Sequence, residues 1–311
     1  MHPTRPELPR RAARGVTLIE LVVSIVLIGI VVAATAFFIF PLRQSTDLVA
    51  RAELTDIADN ALQRIGREVR LALPNSVRVD SASVPGTVFL EFLALRAAGR
   101  YRADTGSVSG GVNCPNTDPA LGQPGNDLLS FDSVTDTCFK TIGSVPNAGT
   151  IVAADFLVLS NYGPGFTGQD AYAGCATAPP TLNCRSTLAV ASEPARERIS
   201  FASTSVFQRV LHDSPGKRFY VTSGPVTYAC NTAARTITRF SGYAVQAVQP
   251  VAFGAGALIA ENVTACAFDY SANVAPQIGL LTLRVTLART LSGGETESVS
   301  LYNAVHVSNV P

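Results

Sequence analysis

The sequence predicts an α+β fold in which a long N-terminal helix, half membrane-spanning and half amphipathic, packs on an antiparallel β-sheet head. Three observations lead to this prediction. The segment from Leu21 to Phe40 contains no charged residue. Apolar residues then recur every three or four positions as far as Leu73, which is the period of an amphipathic helix. After Pro74, short segments alternate between apolar and polar residues, which is the pattern of half-buried strands.

The apolar segment from Leu21 to Phe40 is long enough to cross a membrane. Its length of about 20 residues corresponds to ~30 Å of helix, the thickness of a bilayer core. A secretory signal with Ala33 and Ala34 at its cleavage site, or a plain signal anchor, are the alternatives. The positive-inside rule predicts a single pass with a cytoplasmic N-terminus, because four arginines precede the segment: Arg5, Arg10, Arg11 and Arg14.

One carboxylate, Glu20, lies at the start of this apolar segment and five residues after Gly15. A charge within a membrane helix costs roughly 2.5–3.5 kcal/mol on insertion scales, so it is usually retained for a function and has a partner. The position of Glu20 therefore makes it the candidate functional residue of the segment.

Residues 14–40, RGVTLIELVVSIVLIGIVVAATAFFIF, resemble the class III signal of type IV prepilins and pseudopilins. The resemblance implies that prepilin peptidase cuts after Gly15, that the new amino group of Val16 is N-methylated, and that Glu20 guides docking into a filament. Val16 departs from the family, which usually has phenylalanine there. The implied segments are a leader (1–15) and a transmembrane and assembly helix (16–40). The implied partners are the membrane, prepilin peptidase, the inner-membrane assembly platform, and other major and minor pilins.

Residues 41–74 are predicted to form the amphipathic half of the pilin spine. Pro41 would kink or locally loosen a continuous helix, and Pro74 would end it. Polar residues such as Asp56 and Arg67 lie off the apolar stripe. The stripe consists of Leu54, Ile57, Ala58, Ala61, Ile65, Val69 and Ala72.

Residues 75–311 are predicted to form a β-rich periplasmic head. The strongest strand signal is LLTLRVTLA (280–288), which places Leu281, Leu283, Val285 and Leu287 on one face. Residues 298–308 alternate likewise, and SGGE (292–295) supplies the turn of a hairpin. A composition shift near 185–200 leaves open whether the head has one lobe or two. Further strands are predicted at 77–79, 87–95, 155–163, 198–203, 217–223 and 236–245.

Six cysteines lie in the head, and an even number in an exported chain favours disulfides. They lack C-x-x-C spacing and the chain has three histidines, so no metal site is predicted. The sequential pairing is favoured because its first two pairs fall in Gly/Pro/Asn-rich segments, although cross-pairing stays open. That pairing is Cys114–Cys138, Cys175–Cys184 and Cys230–Cys266.

The remaining composition argues against enzymatic and nucleic-acid functions. A net charge of +1 with 15% charged residues gives no general basic surface for nucleic acid. No G-x-S-x-G, H-E-x-x-H or P-loop motif is present, so we expect no catalytic residue, no cofactor and no enzyme. Asp127, Asp132 and Asp136 lack EF-hand spacing, and calcium binding there stays open.

Four segments are similar to those of minor pilins of MSHA-type type IV pilus systems. One is the passage from helix to strand, RAELTDIADNALQRIGREVRLALPNSVRV (51–79), and the others lie in the head: GRYRAD (99–104), LIAENVTACAFDY (258–270) and VHVSNVP (305–311). The similarity implies a structural subunit that primes or caps a filament. The alternatives are a J-type minor pseudopilin of type II secretion and a pilus-tip adhesin whose ligand site lies in the loops 103–127 and 161–185.

Overall fold

A computed structural model of the chain describes residues 15–102, 129, 138–164, 166, 169–173, 186–187, 198–200, 214, 216–275, 277–291 and 294–311. For 36–47, 186–187 and 273–275 the description is limited to the backbone. The fold is α+β, as predicted: a long helix, α1 (Leu18–Arg70), precedes twelve strands in the described part. The chain divides into two compact units between Ala52 and Glu53.

The first unit contains the apolar half of α1. The 18 residues Leu18–Thr35 have a mean hydropathy of 2.7, and none of them is buried. Such a helix is long and apolar enough to cross a membrane. The helix continues through Pro41, the residue that was expected to kink or loosen it.

The second unit begins at Glu53 and contains the amphipathic half of α1. Its predicted stripe is buried, apart from Ile57, which is half-buried, and Leu62 joins it. The helix ends at Arg70, before the expected boundary at Pro74. The reason is strand pairing: the Leu73 amide donates to the Leu93 carbonyl at 2.8 Å, and the Leu95 amide donates to the Leu71 carbonyl at 3.0 Å.

The larger sheet has seven strands, all paired antiparallel. The strands are β1 (Arg78–Asp80), β2 (Thr87–Arg100), β4 (Phe156–Leu159), β5 (Ser186–Thr187), β7 (Arg218–Asn231), β8 (Thr236–Ser241) and β9 (Ala257–Glu261). Their order in the sheet is β1-β2-β7-β4-β5, with β8 on β7 and β9 on β8. The 14-residue strands β2 and β7 form its centre. The register shifts twice along β2, between Leu93 and Ala97.

A second sheet has the order β10-β11-β12 and contains the predicted hairpin. Its strands are β10 (Val263–Ala275), β11 (Ile278–Thr290) and β12 (Thr296–Ser308), and Thr290 pairs with Thr296 beside the turn. The four predicted inward residues of β11 are fully buried. A short third sheet pairs β3 (Cys138–Lys140) with β6 (Arg198–Ser200).

The main core joins α1 to both large sheets. Ile65 and Val69 of α1, Leu90 and Phe92 of β2, and the inward residues of β11 belong to one continuous apolar cluster. The apolar stripe of the helix therefore belongs to the same core as residues of two sheets.

One disulfide links the two large sheets. Cys230 of β7 and Cys266 of β10 are bonded, with Cα atoms 6.5 Å apart, as predicted for this pair. Cys138 is also disulfide-bonded. Cys114, Cys175 and Cys184 lie outside the described residues, so Cys114–Cys138 and Cys175–Cys184 stay predictions.

Breaking this bridge should destabilise the head. The two cysteines are separated by 36 positions, and the loop-entropy relation gives roughly 3–4 kcal/mol for such a cross-link. Cys266→Ala removes the bridge and keeps the buried Cys230 side chain. We expect a lower melting temperature for the purified full-length variant by differential scanning calorimetry. Ser271→Ala, at an exposed position of β10, is the control. Equal melting temperatures for Cys266→Ala and the wild type would contradict the prediction.

Candidate processing and assembly site

The N-terminal end of α1 is defined by Thr17. Its hydroxyl oxygen accepts a hydrogen bond from the Glu20 amide at 3.3 Å, and its carbonyl accepts one from the Leu21 amide at 3.1 Å. A threonine three residues before a glutamate has the spacing of a helix capping box. Thr17 therefore sets the helix start and places Glu20 in the first turn.

Glu20 is exposed in the first turn of α1. A carboxylate there interacts favourably with the positive end of the helix dipole. Within the described part of the chain, the side-chain carboxylate of Glu20 has no hydrogen bond or ion pair. The described residues thus present an acidic group at the helix end and place no cation beside it.

Gly15 is not required by the fold of the described residues. A Cβ atom built on Gly15 meets no atom within 4 Å, and its φ is not positive. Gly163 shows the contrast, because its φ is +90° and an added Cβ would lie 2.6 Å from the Asn75 carbonyl oxygen. A structural reason for glycine therefore exists at position 163, whereas the described fold supplies none at position 15.

The three residues predicted to act in processing and assembly, Gly15, Val16 and Glu20, lie close together along the chain. Gly15 and Val16 precede the helix, and Val16 is 68% exposed. Cleavage after Gly15 would place a new amino group on Val16, about one helical turn from Glu20 along the sequence. A cation and a carboxylate would then share the same end of α1.

The head contains a second charged arrangement, which the sequence reasoning missed. Glu91 of β2 is fully buried, and Arg78 of β1 donates to its carboxylate at 2.8 and 2.9 Å. The Tyr243 hydroxyl donates to the other carboxylate oxygen at 3.2 Å. The available signal was a single glutamate inside the apolar strand TVFLEFLAL.

Arg78 connects this buried carboxylate to a loop and to an aromatic ring. Its guanidinium donates to the carbonyls of Ala247 at 2.7 Å and Gln246 at 3.0 Å. It also lies 3.7 Å from the centroid of the Tyr172 ring. These contacts satisfy the charge and hold the loop, so the arrangement serves the fold.

Burial raises the pKa of Glu91, and the charge and hydrogen bonds of Arg78 only partly oppose the rise. Burial also raises the pKa of Tyr172 and of Tyr243, to which the nearby Glu91 contributes. Burial therefore makes the charged form of each of these groups less favourable than it is in water.

Other predicted chemistry falls partly outside the described residues. Asp127, Asp132 and Asp136 lie in the part that is not described. Among the residues that are described, no three His, Cys, Asp or Glu side chains form a cluster suited to a metal ion. His306 is exposed on β12, between the buried Val305 and Val307.

A family model for the prokaryotic N-terminal methylation motif matches residues 10–36. This match supports a type IV pilin-like protein. The motif implies processing by prepilin peptidase and assembly with other pilins. Together with the apolar helix, it fits a single-pass inner-membrane anchor. Comparison of the chain with curated proteins and with solved structures found no match.

The matched segment includes Gly15, Val16 and Glu20, but the match assigns no role to an individual residue. Cleavage after Gly15, methylation of Val16 and docking through Glu20 therefore stay predictions. The finer resemblance to MSHA-type minor pilins rests on head segments outside the matched residues.

The raised pKa of Glu91 predicts a pH-dependent contribution to stability. Below the ordinary carboxyl value of 4.5 the unfolded and folded states both hold the proton. As the pH rises through 4.5 towards the raised pKa, the unfolded state ionises first, so stability is lost over that window. We expect the free energy of unfolding of the wild type to fall relative to that of Glu91→Gln as the pH increases from about 4 to about 7.

Thermal melting of the full-length wild type, Glu91→Gln and Glu261→Gln across this pH range measures the effect. Glu261 is exposed and serves as the control carboxylate. A constant difference between Glu91→Gln and the wild type at every pH would show that Glu91 does not change its protonation in this window.

Proposed function

We propose that the chain is a minor pilin of an MSHA-type type IV pilus system, similar to the MSHA pilus protein MshO. It is a structural subunit, not an enzyme, and it primes or caps filament assembly after prepilin peptidase cleavage. The observation that carries the proposal is the methylation motif at the start of an apolar helix whose surface is entirely exposed. The similarity of segments 51–79, 99–104, 258–270 and 305–311 supports the choice of system.

The subunit is stored in the inner membrane before assembly. The apolar residues of Leu18–Thr35 would be costly in water, because each fully buried aliphatic side chain is worth about 1.5–3 kcal/mol. The arginines of the leader keep the N-terminus cytoplasmic, which places the head in the periplasm. The Cys230–Cys266 disulfide supports a periplasmic location of the head, since such bonds persist in oxidising compartments.

Assembly depends on pairing the charge of Glu20. Prepilin peptidase removes residues 1–15 and leaves a cationic amino group on Val16, and N-methylation preserves that charge. An isolated carboxylate in an apolar environment is unfavourable by roughly 2.5–3.5 kcal/mol. Pairing Glu20 with the amino terminus of a neighbouring subunit offsets this cost only in one axial register. The pair therefore selects how α1 packs beside other pilins, first in the membrane and then in the pilus or pseudopilus.

The head suits a subunit present in few copies. The head belongs to the compact unit Glu53–Pro311, which contains the end of α1 and two large sheets linked by a disulfide. Within it, α1 buries its apolar stripe and leaves Asp56, Asp59 and Arg67 exposed. A head of this size at the filament tip would not need to repeat along the shaft, which favours a priming or capping position.

A J-type minor pseudopilin of type II secretion is the second candidate, because the same motif and helix serve both systems. The genes beside this one separate the two, since each system encodes its own secretion ATPase. A tip adhesin is the third candidate, and a cavity whose lining includes residues 162–164 and Phe166 favours considering it.

Cleavage is tested by Gly15→Asp. We expect the variant to remain as the uncleaved precursor in the membrane, because a charged side chain replaces the residue before the scissile bond. N-terminal sequencing of the wild-type mature protein should begin at Val16. Gly15→Ala is the matched control for folding, since an added Cβ meets no atom there. A mature wild-type protein that begins at or after Thr35 would contradict the proposal and indicate ordinary signal-peptidase processing.

Assembly is tested by Glu20→Val. Removing the charge should preserve or improve membrane insertion and should leave cleavage after Gly15 largely intact. Piliation should fall by roughly tenfold or more if the lost pairing is worth at least ~1.4 kcal/mol. The measurement is immunoblotting of sheared and membrane fractions, with antibodies to this chain and to the major pilin.

Glu20→Asp keeps the charge and Glu20→Gln keeps the shape, so these variants separate the two contributions. We expect Glu20→Asp to assemble better than Glu20→Gln. Normal piliation with Glu20→Val would show that the carboxylate has no role in docking.

A further inference from the structure

The strand β12 (Thr296–Ser308) lies at the edge of the second sheet. It pairs with β11 along its 13 residues without a register shift, and no other described strand pairs with it. An edge strand has a row of backbone N–H and C=O groups that point away from its neighbour. In the described part of the chain, no backbone hydrogen bond from outside the sheet reaches residues 298–308. These groups are therefore available to a further strand.

This edge lacks the features that usually protect one. Folded proteins shorten their edge strands, or interrupt them with bulges, prolines and charged residues. The other strands at the ends of the described sheets follow this rule: β1, β3, β5, β6 and β9 have five residues or fewer, and the pairing of β10 has two register shifts. Residues 298–305 of β12 include neither a proline nor a charged residue. Among the described edges, β12 is thus the one best suited to pairing with another strand.

A groove of about 680 Å³ follows the middle of this edge, between β12 and α1. Its lining includes the consecutive residues Leu301, Tyr302 and Asn303. Neighbouring residues of a strand point to opposite faces of the sheet, so a groove that touches all three includes the edge between the faces. The helix comes close at this point, since the Asn303 side chain donates to the Leu62 carbonyl at 3.5 Å. The edge of β12 is one wall of the groove, and α1 is the other.

The charge beside this edge is mainly positive. Arg67 and Arg70, in the last turn of α1, line the groove. Arg284 of β11 is the cross-strand partner of Tyr302. All three arginines are exposed, and within the described residues none of them has an ion pair. The one carboxylate among the described lining residues, Asp59, lies about 12 Å from Arg67 along the helix.

We propose that β12 binds an extended acidic segment of a partner protein, which adds to the sheet as a further strand. Backbone hydrogen bonds to β12 would hold the segment, as in other cases of β-strand addition. Its carboxylates would pair with Arg67, Arg70 and Arg284, and an apolar or β-branched residue would pack beside Tyr302. The arginines favour such a segment over a second copy of β12, because a second copy would bring more arginines to the same edge. The inference does not rest on the proposed filament role.

Hydrogen exchange tests whether the edge is open in the chain alone. The full-length protein in nanodiscs of zwitterionic lipid is studied by mass spectrometry with residue-level resolution. In an antiparallel edge strand, alternate amides bond to the neighbouring strand and those between them point outward. We expect alternate amides of residues 298–305 to exchange fast. Uniformly slow exchange would show that the edge is already covered, and would overturn the proposal.

Selection from a random-peptide phage library then tests the chemistry of the segment. The target is the same protein in nanodiscs, and empty nanodiscs remove peptides that bind lipid. We expect the enriched peptides to combine Asp or Glu with β-branched and aromatic residues, and to slow the fast amides of β12. The proposal is wrong if no peptide is enriched, if the enriched peptides are not acidic, or if their binding leaves exchange in β12 unchanged.

Charge reversal tests the role of the arginines. Arg67→Glu with Arg70→Glu should weaken binding of the selected peptide by roughly tenfold, because attraction becomes repulsion. Arg67→Gln with Arg70→Gln should weaken it less, and serves as the test if thermal melting shows that the reversed variant is unfolded. Arg100→Glu with Arg102→Glu changes the net charge equally at exposed positions that are not among the described lining residues, and should leave affinity unchanged. Equal affinity of the groove variants and this control would contradict the proposal.

Sedimentation velocity over a range of protein concentrations distinguishes a second copy from a partner segment. Self-association that Tyr302→Ala abolishes, together with no binding of acidic peptides, would make β12 an interface between copies of this chain and would overturn the proposal. A chain that remains monomeric and binds acidic peptides supports it. Loss of cleavage or piliation in Gly15 or Glu20 variants has no bearing on these outcomes.

Discussion

The structure of the head depends on burial of one apolar stripe of α1. Ile65 and Val69 are inaccessible to solvent, and the cluster around them includes inward residues of both large sheets. Because antiparallel sheets bury one face each, the helix supplies the surface that both need. Its contacts position β2 and β11, and through them the strands that pair with those two. Gly66 shows how tightly this region is packed, since a Cβ there would lie 3.1 Å from the Val305 side chain.

The two halves of α1 have surfaces that need different environments. From Glu53 onward it is amphipathic and its apolar face is covered by the head. From Leu18 to Thr35 it is apolar apart from Glu20 and a few hydroxyl side chains, and none of its residues is buried. Such a surface is stable in lipid or among other apolar helices, not in water. Transfer of the helix from a membrane to a filament exchanges one apolar environment for another. The free energy of this transfer therefore depends on the few polar contacts that differ between the two environments. Glu20 is the charged side chain in a position to provide one.

Buried polar groups determine the shape of the head where apolar packing does not. Arg78, which pairs with the buried Glu91, also donates hydrogen bonds to the carbonyls of the loop at 246–247. At the other end, Asn75 and Asn309 join the segment after α1 to the C-terminus. A cavity beside them is lined by Tyr162 and Phe166 as well as by Asn75, Asn309 and Pro311.

The sequence by itself determined the features that depend on neighbouring residues. The apolar and amphipathic halves of α1, the β11–β12 hairpin and the inward face of β11 follow from local periodicity. The N-terminal motif is likewise local. The tertiary structure decided the rest. Strand pairing with β2 ended α1 at Arg70 rather than at Pro74. The packing of α1 between two sheets, the burial of Glu91 and the cavity beside Asn309 each join segments far apart in the chain. Asn75 and Asn309 are 234 positions apart, and no local pattern encodes such a contact, because its energy exists only once the intervening chain has folded.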